Sequence, residues 1–174
     1  MARLEPHLFN RSTFLYAERI SIEKLPDESL VRHTHAFWRG LVAAPALPAR
    51  SDFTPLDIPR SVLPWLFIID VLREPDGRLD YRYRLAGTSN VSLVGRDPTG
   101  RLASEIFTND DQAFMLRSMD ITVAEAEPTF WSAAVPHERI EKVDLWRGLF
   151  PLAEDRLSVD TLLGIAVPQQ LGPD

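Results

Sequence analysis

Few of the reactive side chains in this 174-residue sequence are spaced for chemistry. The four histidines are His7, His33, His35 and His137, and no cysteine accompanies them. His33 and His35 stand two apart, so on a helix they point to different sides and cannot grip one metal together. All four read as surface imidazoles, and no metal site is expected. Asp70, Arg82 and Arg84 could form a carboxylate–guanidinium site for an anion, but cross-strand pairing explains them equally well. The Gly95–Gly100 stretch lacks the clustered glycines ahead of a helix that a phosphate cradle needs. No Gly-x-Ser-x-Gly, His-Glu-x-x-His or Walker loop is present. Glu125 with Glu127, and Glu138 with Glu141, read as solvated termini and loops. No catalytic residue is assigned.

The elements that must position these groups follow from periodicity. Leu30, Val31, Thr34, Phe37, Trp38, Leu41 and Val42 form one stripe of a helix over Glu28–Ala43, with Asp27 as N-cap and Pro45 and Pro48 beyond its end. The stripe must be covered, either by a sheet or by the same helix of a second chain. Trp65–Arg73 and Arg78–Gly87 read as a hairpin around Pro75–Asp76–Gly77. Its register sets Phe67 opposite Leu85, Ile69 opposite Tyr83, Val71 opposite Tyr81 and Asp70 opposite Arg82. Any one-residue shift would mix the faces. Short helical turns follow. Asn109 and Gln112 then form a capping-box pattern for a helix to about Ala124, with Ala113, Phe114, Met119 and Val123 inward.

Three strands close the chain: Pro128–Val135, Ile140–Leu152 and Leu157–Val167. A tight turn at Ala153–Arg156 would set Leu152 opposite Leu157, Trp146 by Leu163 and Phe150 by Val159, with Arg147 diagonal to Asp160. This order predicts an α+β domain with an antiparallel sheet. Leu66, Ile68, Leu145, Leu149 and Leu162 fall on the second face, so both faces need cover. The composition is 45% hydrophobic and 25% charged, ordinary for a soluble globule. The net charge of −6 argues against a phosphate-coating nucleic-acid binder. The start of the sequence has no apolar signal region, and the longest apolar run is too short to cross a bilayer. A cytoplasmic protein with no membrane contact is the expectation.

Three pieces carry a resemblance: Leu47-Pro-Ala-Arg-Ser-Asp-Phe-Thr-Pro55 with Leu63-Pro-Trp, then Tyr83-Arg-Leu-Ala-Gly-Thr88, then Gly95-Arg-Asp-Pro-Thr-Gly-Arg101. With the order β-β-helices-β-β-β, the stretch from about Phe37 to Val167 resembles PAS domains. It looks like a group of small bacterial, largely alphaproteobacterial, stand-alone members with a helical N-terminal extension. The resemblance implies a five-stranded sheet in spatial order 2-1-5-4-3, short helices over one face enclosing a sensor cavity, and dimerisation through N-terminal helices. The domains expected are an extension over 1–50 and a PAS-like unit over 51–174.

Tyr83, Leu85, Thr88, Phe114, Trp131, Trp146 and Thr161 are the expected ligand contacts, provided Tyr83 and Trp146 share one wall. The same side chains could equally just pack the core. Val31, Thr34, Phe37, Trp38 and Leu41 are the expected interface. No cofactor is named. The familiar light-sensing members need a cysteine adduct that this chain cannot form, and some PAS sensors bind haem, but His33 and His35 lie outside the expected cavity. The function the resemblance implies is a non-catalytic sensory or interaction domain, a homodimer as is common in the family, signalling a small ligand to a partner protein. The alternatives are a ligand-free interaction module and a small cone-shaped enzyme of the ketosteroid-isomerase type, which needs an ionisable group in its cavity. Asp70 falls on the other face.

Overall fold

The computed structural model describes residues 14–41, 44–108, 113–137 and 140–170. Six strands form one antiparallel sheet: β1 Tyr16–Ile20, β2 Leu66–Arg73, β3 Leu79–Ala86, β4 Thr129–Pro136, β5 Lys142–Leu152 and β6 Thr161–Pro168. Their order across the sheet is β1-β4-β5-β6-β2-β3. The five strands expected from the sequence lie in the expected order, and β1 is an addition beside β4. Short helices α2 (Thr88–Val94) and α3 (Ala103–Ile106), with the longer α4 (Ala113–Glu125), cover the inner face. Helix α1 (Leu30–Leu41) lies on the outer face, against β5 and β6.

Each face holds its own core. Phe67, Ile69, Val71, Tyr81, Tyr83, Leu145, Leu149, Leu162 and Ala166 point inward. Leu66, Ile68, Phe130, Phe150, Leu152, Leu163, Ile165 and Val167 point outward. Central strands covered on both sides have to be apolar at nearly every position, and β6 is buried along almost its whole length. Two glycines let the layers close. A Cβ on Gly148 would lie 2.8 Å from Val31 Cγ1, so α1 rests directly on β5 there. On the inner face, the Phe67 ring from β2 folds across Gly164, its partner on β6.

The first hairpin keeps three of its expected pairs: Ile69 with Tyr83, Asp70 with Arg82, and Val71 with Tyr81. A bulge between Ile68 and Ile69 then shifts the register, pairing Phe67 with Ala86 and Ile68 with Leu85. Leu85 is thereby turned out, half exposed. The last hairpin departs further. Leu152 pairs with Thr161, Phe150 with Leu163 and Trp146 with Val167, because residues 153–160 form a loop. Asp155 accepts bonds from the Leu157 and Ser158 amides at 2.9 and 2.7 Å, Glu154 N donates to Asp160 Oδ2 at 2.8 Å, and Arg156 adopts φ 68°. The faces consequently exchange. Leu145, Leu149 and Leu162 line the inner core, while Trp146 and Phe150 belong to the outer one.

Helix α1 starts at Leu30, and Ser29 Oγ, in place of Asp27, accepts from Val31 N at 3.2 Å. Asp27 lies 3.6 Å from Arg32. Val42, Ala43, Asn109 and Gln112 lie outside the described residues. In α4 the buried residues are Met115, Ser118, Met119 and Thr122. Ala113 is exposed, and Phe114 and Val123 are partly buried.

Of the two covers open to the stripe, a sheet or a second chain, its own sheet takes the buried part. Val31 and Thr34 are buried, Phe37 meets Phe53 edge-on at 5.4 Å, Trp38 Nε1 donates to Pro151 O at 2.8 Å, and Leu41 packs on the outer core. Val31 and Thr34 have no surface left for a partner.

Overpacking a filled core costs about 1–3 kcal/mol, so Gly164→Ala should lower stability by about that amount in a urea melt. Because the new methyl meets the Phe67 ring, the loss should shrink in the double variant with Phe67→Leu. Additive losses would refute this contact.

Candidate functional site

Two glycines set the length of α2. Gly87, its N-cap, has an ordinary φ of −67°. Its lack of a side chain is required because a Cβ would collide with the Pro64 carbonyl. Gly95 ends the helix in the left-handed region at φ 81°, its N–H bonded to Val91 O at 2.8 Å, the usual use of glycine at a helix C-terminus.

The segment Arg96–Arg101 then turns back onto β3. Gly100 N donates to Tyr83 O at 2.7 Å and Tyr83 N to Arg101 O at 3.0 Å. Asp97 Oδ1 ties the turn by accepting from Thr99 N and Oγ1 at 2.9 and 2.6 Å. The motif therefore closes the sheet edge and carries the Arg96 side chain inward. It does not cradle a phosphate.

Beneath this turn lies a small cavity of about 30 Å³ between the inner sheet face and the helices. That space holds a water or two, and a larger guest must push the walls apart. Phe14, Phe67, Leu93, Ile106, Met115 and Leu145 supply much of the apolar lining. Four polar side chains enter it: Tyr83, Asn90, Arg96 and Arg147.

Arg147 on β5 is only 1% exposed. Its Nη1 donates to Ser118 Oγ on α4 at 2.8 Å, while Nη2 is buried without a partner. The guanidinium carbon lies 5.7 Å from the centre of the Phe67 ring. Burial pulls its pKa down to about 10, so it still carries its charge at neutral pH. Arg96 Nη2 is also buried without a partner, and burial, then the charge of Arg101, lowers its pKa. Burial raises the Tyr83 pKa despite the opposing charges of Arg147 and Arg96, which keeps its hydroxyl protonated as a donor. Asn90 Nδ2 donates to Trp65 O at 3.2 Å. Among the described lining residues there is no carboxylate.

Of the seven expected ligand contacts, only Tyr83 lines this cavity. Trp131 is on the inner side, but its Nε1 is tied to Thr129 Oγ1 at 2.9 Å, which in turn meets Thr122 Oγ1 at 2.6 Å. Phe114 packs on the inner core away from the hollow. Thr88 is exposed on an open groove beside Trp65 and His137. Leu85 is turned out by the bulge, and Trp146 lies on the outer face. Thr161 also leaves the inner wall, since it is paired beside Leu152 and bonded to Asp160.

The shared wall of Tyr83 and Trp146 therefore does not exist. The two lie on opposite faces. Arg147, expected diagonal to Asp160, pairs with Ala166 instead, and its cavity role went unrecognised although it is the one charge within the apolar run Leu145–Leu152. Arg96 sat in the quoted motif without a role. Asp70 lies on the outward side, with Oδ1 2.5 Å from Arg84 Nη2, at an angle unsuited to a hydrogen bond.

A PAS-domain family model matches residues 27–167. The chain belongs to the PAS-domain family. No curated protein sequence matches it. Among solved structures, it is similar to an RNA-binding light-oxygen-voltage receptor, at 13% identity and a TM-score of 0.50, covering 90% of this chain and 39% of that one. It is also similar to a LOV protein of Rhodobacter sphaeroides, at 11% identity and a TM-score of 0.44, covering 79% of this chain and 66% of that one. A fungal LOV-domain photoreceptor matches at 13% identity and a TM-score of 0.42, over 60% of this chain and 73% of that one. This PAS chain thus spans about two fifths of the length of the first neighbour. The fold is α+β of the PAS and LOV type, the fold of sensory modules. Among the described residues no helix is long and apolar enough to cross a membrane, and no cluster of three or more histidine or acidic side chains could hold a metal.

His33, His35 and His137 do not line the cavity, and His7 lies outside the described residues. His35 is not a simple surface residue: half-buried on α1, it meets Phe130 edge-on at 5.3 Å and stacks on Phe150 at 6.1 Å. Burial first, then the charges of Arg39 and Arg32, lowers its pKa below 6.5. The unfolded chain therefore takes up this proton before the folded one does, so stability falls as pH drops through 6.5 and stops falling once the folded ring titrates. The urea midpoint should decline from pH 7 to pH 5 in the natural chain and decline less in His35→Phe. Equal slopes would show that His35 is not the source.

Proposed function

We propose that this chain is a non-catalytic sensory PAS module, in which a small molecule between the inner sheet face and α2–α4 changes how the sheet packs on α1. A partner protein reads that change. The homodimer, the cytoplasmic setting and the bacterial stand-alone form with an N-terminal extension over 1–50 ahead of a PAS unit over 51–174 belong to this proposal. The observation that carries it is the cavity itself, an apolar hollow lined by Arg147 and Arg96, whose Nη2 atoms are buried without partners. Cores satisfy their buried polar groups, and a binding site leaves some of them for its ligand. Asp70, the carboxylate that an isomerase-like enzyme would need inside, stands outside and paired to Arg84. Thiol-adduct photochemistry is closed to a chain with no cysteine.

Coupling in this reading has a definite route. Phe67 and Arg147 touch the cavity, while Gly148, next to Arg147, touches Val31 of α1. A ligand shifts this packing only by as much as it binds one arrangement better than the other.

Ala166 lines the cavity and is 3% exposed. Native mass spectrometry of purified protein should find a small molecule that Ala166→Met expels and Trp146→Phe, altered on the outer face, retains. Retention by both variants, or by neither, would count against the cavity as the sensor site.

A further inference from the structure

Resting on the sensory reading above, we propose that the cavity binds a small organic carboxylate. Its head lies between the guanidinium groups of Arg147 and Arg96, and its apolar body lies against Phe67, Leu145 and Ile106.

The argument starts from charge. Arg147 is 1% exposed and Arg96 half-buried, both line the same hollow, and each has an Nη2 buried without a partner. Removing a guanidinium from water is unfavourable unless an opposite charge and hydrogen bonds replace its hydration. Ser118 Oγ takes one donor of Arg147, and the Phe67 ring faces its cation at 5.7 Å. Ser118 is neutral and a ring face is only a partial substitute for an anion. Among the described lining residues none is acidic, so within that lining the two cations have no counter-charge. The Tyr83 hydroxyl on the same wall adds a third donor.

The chemistry of the guest follows from the donors and the walls. A guanidinium offers its N–H groups as a planar fork that fits the two oxygens of a carboxylate. The remaining walls are phenyl, leucyl and isoleucyl groups, which reward an apolar tail. A phosphate dianion would match the two cations in charge, but its tetrahedral head is bulkier than a planar carboxylate and carries more oxygens than these donors satisfy. The small free volume favours a short body, with the Arg96–Pro98 turn as the wall that yields.

The test uses the full chain. Native mass spectrometry identifies any molecule already seated, and dialysis removes it. The chain is then titrated by calorimetry with acetate, butyrate and benzoate at fixed ionic strength, alongside chloride and inorganic phosphate. Saturable binding is expected, tighter for butyrate or benzoate than for acetate, and at least tenfold weaker in Arg147→Met and in Arg96→Met. Arg147→Met replaces an unpaired buried cation with an apolar chain of similar length, a change that folds tolerate or gain from, and its melting temperature checks this. Ser118→Ala, which leaves Nη1 of Arg147 without its partner and the guanidinium free to turn away from the hollow, should weaken binding several-fold and lower the melting temperature.

Equal carboxylate affinity in Arg147→Met, or preferential binding of phosphate or chloride, would overturn the assignment. A neutral molecule held by the natural chain and expelled by Ala166→Met would overturn the carboxylate and leave the sensory reading standing. A chain that retains nothing and binds none of the probes would overturn both.

Discussion

The whole architecture depends on a single sheet being dry on both sides. β2, β6 and β5 occupy its middle, and helices cover it above and below, so almost every side chain along these strands must be apolar. Burial at about 25 cal/mol per Å² of apolar surface drives both layers together. Gly164 and Gly148 mark where the cover sits closest: Phe67 folds over the first from within and Val31 presses on the second from without. Against this background Arg147 is the exception, a cation placed mid-strand in the driest part of the molecule with Ser118 as its neutral hydrogen-bond partner. The inner layer is organised around it, through Phe67 beneath and α4 beside.

Local chemistry was legible where it acts locally. Glu74 N bonds to Arg78 O at 2.9 Å and Gly77 adopts φ 84°, so the turn at Pro75–Gly77 dictates the near half of the first hairpin, and Asp70 meets Arg82 as their alternation requires. The far half escapes the pattern because the bulge past Ile69 serves the join to Pro64 and α2, which are contacts distant in sequence. The loop 153–160 is hidden for the same reason. Ala153 N bonds to Pro48 O at 2.8 Å, and Arg156 pairs with Asp52 of the proline-rich connector, Nη2 lying 2.7 Å from Oδ1. No short-range rule puts a non-glycine residue such as Arg156 at positive φ. Asp52 thereby anchors that connector.

Face assignment failed for a deeper reason. A strand buried on both sides carries no two-residue alternation, so Leu145, Trp146, Leu149 and Phe150 offer no pattern to orient them. Grouping the aromatics on one side was the natural guess, and the structure divides them: Phe67 and Tyr83 within, Trp146 and Phe150 without. The only asymmetry in that run was the charge of Arg147. β1 was invisible because five residues, three of them Ala, Glu and Arg, resemble a linker until β4 offers its edge. The α1 stripe was legible as apolar, but only the tertiary structure shows that its cover comes from its own chain.

Successive residues of a strand point to opposite sides, and the peptide linking Arg147 to Gly148 is therefore common property of both layers. At this point the molecule is one backbone thick between the hollow and the helix behind it. In the sensory reading proposed above the sheet there would act as a diaphragm, passing pressure from one surface to the other with no intervening relay of side chains.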